Sequence, residues 1–101
     1  MKNILVAEDN LNLGLIWENW LGELGHAVTR TTNKASALAA FQPNFYALAV
    51  LDIRMPSVQG GRSINITAGL EAALEMRQRD PFIPVLFLTA SDDEDIEADA
   101  L

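Results

Sequence analysis

Four segments along the chain carry strand character: residues 4–7, 27–31, 46–51 and 85–88. The first is a short continuous apolar run, the pattern of a strand covered on both faces. The second is rich in β-branched residues, which favour extended backbone. Between the strands the spacing changes. Leu13, Trp17, Trp20, Leu21 and Leu24 fall at helical intervals, with Asn10 placed to cap the helix and Gly25 to stop it. Asn33 can cap a short second helix whose apolar side is Ala35, Leu38 and Ala39, with Pro43 beyond its end. A long connection from residue 53 to about residue 67 contains Pro56 and Gly60-Gly61. It leads to a third helix with Leu70, Ala73, Leu74 and Arg77 on one face and Pro81 and Pro84 around its exit. Ser91-Asp92-Asp93-Glu94 is a capping box with an acidic first turn, so a fourth helix begins there. The alternation β-α-β-α-β-α-β-α predicts a parallel sheet with helices on both faces.

The length of 101 residues fits one domain, and half of them are hydrophobic, enough for a single core. The net charge is −7. That balance argues against direct nucleic acid binding by this segment, which would need Lys and Arg against the phosphates. The absence of cysteine excludes disulfides, thiolate catalysis and Cys-type zinc sites, and agrees with a reducing, cytoplasmic location. No apolar run reaches membrane-spanning length, and the N-terminus carries no signal-peptide pattern.

The charges become informative where they meet the strands. Glu8-Asp9 ends the first apolar run and Asp52 ends the third. In a parallel sheet those C-terminal ends lie side by side, where such folds bind ligands. Three carboxylates held together repel one another and call for a cation. Hard oxygen donors favour Mg²⁺, and Mg²⁺ beside a carboxylate suggests phosphate chemistry. In isolation, Asp52 would read as a turn aspartate, Glu8-Asp9 as helix caps and Thr89 as a locally bonded strand-end hydroxyl. Their register at three strand ends favours a shared site. Trp17 and Trp20 read as helix-packing residues, the lone His26 as a turn residue, and the acidic stretch 92–99 as a solvated helix start.

Three motifs in order, Ile4-Leu5-Val6-Ala7-Glu8-Asp9-Asn10, Leu51-Asp52-Ile53-Arg54-Met55-Pro56 and Pro84-Val85-Leu86-Phe87-Leu88-Thr89-Ala90, make the chain resemble the receiver domain of two-component response regulators. Gly25-His26-Ala27-Val28 and Gly69-Leu70-Glu71 are smaller echoes of the same pattern. The resemblance spans essentially all of residues 1–101, as one domain. It implies a flavodoxin-like doubly wound sheet of order 2-1-3-4-5. It implies that Asp52 accepts a phosphoryl group from a histidine kinase or phosphotransfer protein. Glu8, Asp9, Asp52 and the main-chain carbonyl of Arg54 would hold Mg²⁺. Thr89 would be the switch hydroxyl, and the Ala90 amide would add a contact to the phosphoryl oxygens.

The chain departs from that pattern in two ways. The family continues with a fifth strand, a fifth helix and a phosphoryl-contacting lysine, none of which lies within residues 1–101; neither Lys2 nor Lys34 stands at a comparable place. The expected sheet is therefore 2-1-3-4, with the strand around Phe82 to Leu88 left as an apolar edge. A longer natural chain, a second copy or strand exchange would complete it. The other departure is a long loop at 57–67 beside the site, read either as an element shaping partner choice or covering the phosphoryl group, or as a plain spacer. Two functional alternatives stand beside the phospho-accepting switch. One is a receiver-like interaction or dimerisation module that does not phosphorylate. The other, a Mg²⁺-dependent phosphohydrolase, is disfavoured because Arg54 stands where such enzymes place a second acid.

Overall fold

The computed structural model describes residues 2–61 and 63–88. Strand β1 (Asn3–Ala7) leads to helix α1 (Leu11–Glu23), strand β2 (Ala27–Thr31), helix α2 (Lys34–Ala40) and strand β3 (Leu48–Asp52). Two very short strands, β4 (Met55–Pro56) and β5 (Ile64–Asn65), precede helix α3 (Ala68–Arg79) and strand β6 (Val85–Leu88). The main sheet has the order β2-β1-β3-β6, and all its pairings are parallel. This is the predicted order, with β6 as the fourth main strand. The predicted fourth helix, and with it Ser91 and the acidic stretch 92–99, lies outside the described residues.

Alternation along the strands divides the core in two. Leu5, Ala7, Ala49 and Leu51 face α2 and α3, where they meet Ala37, Phe41, Ala68, Ala72 and Met76. Ile4, Val6 and Val50 face the other way and pack with Leu21 and Trp17 of α1. Both faces of β1 and β3 are therefore covered, which is why their sequences show no polar alternation.

The predicted caps are in place. Asn10 Oδ1 accepts from the amides of Asn12 (3.0 Å) and Leu13 (3.2 Å), and Asn33 Oδ1 accepts from the Ser36 amide at 2.8 Å. Gly25 follows α1 with φ of 89°, a conformation that favours glycine.

Three helix faces differ from the sequence reading. On α1, Trp20 and Leu24 are exposed, and the helix meets the sheet chiefly through Leu21 and the buried Gly14. On α2, Ala35 and Ala39 point outward, and Ala37 is the buried position. On α3 the buried face is Ala68, Gly69, Ala72, Ala73 and Met76. Leu70 and Leu74 are 42% and 65% exposed. With Ala73, Arg77, Val85 and Phe87 they line a groove instead. Small residues win the buried face of α3 because the helix N-terminus comes within contact of the β3 backbone. Boundaries shift as well. Tyr46 precedes β3, packs in the core and donates its hydroxyl to the Ala40 carbonyl (3.2 Å). The apolar edge segment forms strand only from Val85, and Phe82 is 91% exposed.

Candidate acidic site at the strand ends

Glu8 leaves β1 with its amide donating to the Thr31 carbonyl at 3.0 Å, so the β1–β2 pairing fixes its backbone. Asp52 is the last residue of β3 and pairs with Leu88 of β6. Its Oδ1 accepts from the Arg54 amide at 3.2 Å, which turns the carboxylate back over the strand end. The outcome is a cluster in which Glu8, Asp9 and Asp52 each offer an oxygen, all within 4.8 Å of one another. Glu8 is 3% exposed and Asp52 is also buried.

Such proximity is costly without a cation. One oxygen of Glu8, Oε2, is buried and has no hydrogen-bond partner. The Glu8 carboxyl is pushed up to about 9, first by burial, then by its hydrogen bond to Asp52 and the charges of Asp52 and Asp9. Asp9 is raised too, by burial first and then by Asp52. A compact set of carboxylate oxygens, one of them unpartnered, suits a hard divalent cation such as Mg²⁺.

Of the residues singled out in the sequence, the structure brings together Glu8, Asp9 and Asp52. Arg54 joins them through its amide. Thr89 and Ala90 lie outside the described residues. Lys2 precedes β1, at the opposite end of the strand from Glu8. Lys34 pairs with Glu71 instead (2.9 Å).

Gly69 and Glu71, noted in the sequence only as an echo of the receiver pattern, prove to be structural parts of the site. Gly69 is the second residue of α3, and its amide donates to the Ile53 carbonyl at 3.0 Å. A Cβ at Gly69 would lie 2.3 Å from the Asp52 carbonyl oxygen, so only glycine lets α3 come this close to the acidic strand end.

The long connection is a two-stranded hairpin, with Met55 opposite Asn65 and Pro56 opposite Ile64. A polar latch pins it. Glu71 Oε1 accepts from Lys34 Nζ (2.9 Å) and Asn65 Nδ2 (3.0 Å), while Oε2 accepts from Thr67 Oγ1 (3.1 Å). Asn65 Nδ2 also reaches Ser57 Oγ at 2.9 Å, and the Ser57 carbonyl accepts from the Ala35 amide at 2.8 Å. The Lys34 hydrogen bond, ahead of those from Asn65 and Thr67, holds the Glu71 carboxyl below its ordinary range. The hairpin is thus tied to α2 and α3 at once. Glu71→Ala is expected to release it, read as faster hydrogen exchange at the Ala35 amide; unchanged exchange would show that the hairpin holds without the latch. The one local signal for this network is the pair Asn65 and Thr67 just before a helix, side chains suited to bonding a carboxylate in its first turn.

The family model described as "Response regulator receiver domain" matches residues 4–101. The chain belongs to the response regulator receiver family. The transcriptional regulatory protein TctD of Salmonella typhimurium is 38% identical over 87 residues, 86% of this chain and 35% of TctD. The response regulator receiver protein CpdR of Brucella abortus is 32% identical over 89 residues, 88% of this chain and 67% of CpdR. The chain spans about a third of the length of the first curated relatives it matches. Among solved structures, the non-phosphorylated HemR receiver domain from Leptospira biflexa superposes with a TM-score of 0.74 at 25% identity, covering 99% of this chain and 75% of that one. The response regulator TrrA, solved in complex with the histidine kinase ThkA, gives 0.70 at 31% identity, with coverages of 92% and 72%. TrrA from Thermotoga maritima has also been solved with Mg²⁺ and BeF, with a TM-score of 0.71 to this chain. As a receiver domain of this family, the chain is a component of two-component signalling, and its Glu/Asp/Asp cluster is an acidic pocket of the kind in which receivers bind Mg²⁺. Among the described residues, no helix is long and apolar enough to cross a membrane.

Proposed function

We propose that the chain is a phospho-accepting receiver that takes a phosphoryl group from a histidine kinase or phosphotransfer protein onto Asp52. The observation that carries this reading is the Glu8–Asp9–Asp52 cluster at the C-terminal ends of β1 and β3, with Glu8 and Asp52 buried and Asp9 half-buried. Glu8, Asp9, Asp52 and the Arg54 carbonyl would hold Mg²⁺. When bound, the ion neutralises the carboxylates and the phosphoryl oxygens, which is most of what phosphoryl transfer requires. An Asp52 oxygen attacks phosphorus, the N–P bond of the donor phosphohistidine breaks, and the imidazole nitrogen leaves with the electron pair and takes up a proton. The acyl phosphate so formed places a new dianion at the strand ends. Thr89 and the Ala90 amide are proposed to answer it by hydrogen bonding. The reading needs no direct contact with nucleic acid or membrane, and it fits a cytoplasmic protein.

Intact-protein mass spectrometry after incubation with acetyl phosphate and Mg²⁺ tests this directly. The wild-type chain is expected to gain one phosphoryl group, and Asp52→Asn none. No gain in the wild type would reject the reading.

A second reading rests on a separate observation. Among the described residues β6 pairs with one strand only, β3, and Leu86 and Phe87 on it are exposed. An interaction module that dimerises or exchanges strands through this edge would assemble whether or not Asp52 is intact. A monomer in sedimentation would count against it.

A further inference from the structure

The latched hairpin changes the shape of the acidic site. A pocket of about 370 Å³ lies beside Asp9. Its inner wall is made of residues at the strand ends, Asp9, Leu11, Thr32 and Asn33, and its outer wall is the hairpin, through Pro56, Val58, Gly60, Gly61 and Ile64. Beside the polar Asp9, Thr32 and Asn33 the rim carries aliphatic side chains that face solvent: Leu11 is 61% exposed, Val58 56% and Ile64 49%. Burial anchors this hairpin at one point only, Met55, which is fully buried in the core, whereas Val58 and Ile64 point outward. The Glu71 latch ties the hairpin's other arm, through Asn65, to α2 and α3, so that Leu11, Val58 and Ile64 stand as exposed aliphatic side chains beside a cavity that ends at Asp9.

We propose that the hairpin is a specificity determinant for the phosphoryl donor, with Val58 and Ile64 receiving an apolar side chain of a protein donor that carries the phosphohistidine. This rests on the phospho-accepting reading of Asp52. The occupant follows from position. Any donor reaching Asp52 must approach along the C-terminal ends of the strands, and the pocket opens there with Asp9 as a shared wall. A macromolecular donor therefore covers the pocket while it delivers the phosphoryl group, and exposed aliphatic side chains gain by that burial. A small donor such as acetyl phosphate needs only the carboxylates and their cation. Val58 and Ile64 touch none of the reacting atoms, so their effect falls on the choice of donor and not on the acceptor chemistry.

The test compares the two kinds of donor on the full natural chain. Wild type and the double variant Val58→Ser/Ile64→Ser are phosphorylated with acetyl phosphate and Mg²⁺, and separately with a panel of autophosphorylated histidine kinases. The expected result is an acetyl phosphate rate within twofold of wild type, with transfer from the fastest kinase lowered at least tenfold or the ranking of the kinases changed. A variant with Glu71→Ala, in which the rim residues remain but the latch is gone, is expected to weaken kinase transfer in the same direction. Equal losses with both kinds of donor would make the hairpin merely structural and overturn the proposal. Unchanged transfer with both, or a wild type labelled by acetyl phosphate but by no kinase, would overturn it too. Failure of acetyl phosphate to label wild-type Asp52 would instead reject the phospho-accepting reading itself.

Discussion

Glu8→Gln is expected to raise the melting temperature of the cation-free protein by about 10 °C or more near neutral pH, and to abolish most of its thermal response to Mg²⁺. The reason is a proton. The Glu8 carboxyl is raised from 4.5 to about 9 in the folded chain. The unfolded chain releases this proton above about pH 4.5, whereas the native state keeps it until about pH 9. Between those limits the native state binds more protons than the unfolded one, so stability falls as pH rises and levels off above about pH 9. At about 1.4 kcal/mol per pH unit, the accumulated cost at pH 7 is about 3 kcal/mol. The raised Asp9 acts in the same direction. A cation among the carboxylates replaces the proton and removes the penalty, so Mg²⁺ is expected to stabilise wild type more at pH 8 than at pH 5.5. The glutamine is nearly isosteric and neutral at every pH, and its amide can donate to Asp52. Thermal melts followed by circular dichroism from pH 5.5 to 8.5, in EDTA and in MgCl₂, read all of this. A cation-free wild type whose melting temperature stays flat or climbs across that range would show that Glu8 does not carry the penalty.

The same residues show what a sequence can and cannot reveal. Ile4 to Ala7 and Leu48 to Leu51 announce buried parallel strands because both faces are covered, and that leaves an unbroken apolar run. Order in a parallel sheet then puts Glu8, Asp9 and Asp52 at one end without any knowledge of contacts. Asn10, Gly25 and Asn33 were legible because caps act within a few residues of themselves. The α3 face was not. Leu70 and Leu74 look like the anchors of an amphipathic helix, yet the helix is drawn to the sheet through Ala68, Gly69, Ala72 and Met76. Close approach selects small side chains, and hydrophobic periodicity weighs large ones more heavily. The hairpin was illegible for another reason. Two-residue strands have no periodicity, and what orders them is one buried side chain, Met55, together with a carboxylate, Glu71, whose partners Lys34 and Asn65 are 37 and 6 residues away along the chain. No local window contains the Lys34 contact.

Gly69→Ala is where local propensity and tertiary packing give opposite forecasts. Exchanging a helical glycine for alanine ordinarily stabilises by up to about 1 kcal/mol. At Gly69 the new methyl would stand 2.3 Å from the Asp52 carbonyl oxygen, 2.8 Å from Ile53 Cα and 2.9 Å from the Asp52 carbonyl carbon. All three are backbone atoms, so no side-chain rotation relieves the clash. Either α3 withdraws, losing the Gly69–Ile53 hydrogen bond and the packing of Ala68 and Ala72, or the end of β3 moves and takes the Asp52 carboxylate with it. Overpacking of this kind costs about 1–3 kcal/mol, enough to outweigh the propensity gain. The expected outcome is a melting temperature lower by about 5–15 °C, together with weaker Mg²⁺ binding in calorimetry, because the carboxylate shifts out of its cluster. Gly22→Ala is the matched control: it lies within α1 and its methyl would meet nothing within 4 Å, so it is expected to stabilise and to leave Mg²⁺ binding unchanged. If Gly69→Ala behaved like Gly22→Ala, α3 could not be what holds Asp52 in position. A drop in stability with unaltered Mg²⁺ affinity would mean that α3, and not the strand end, absorbs the clash.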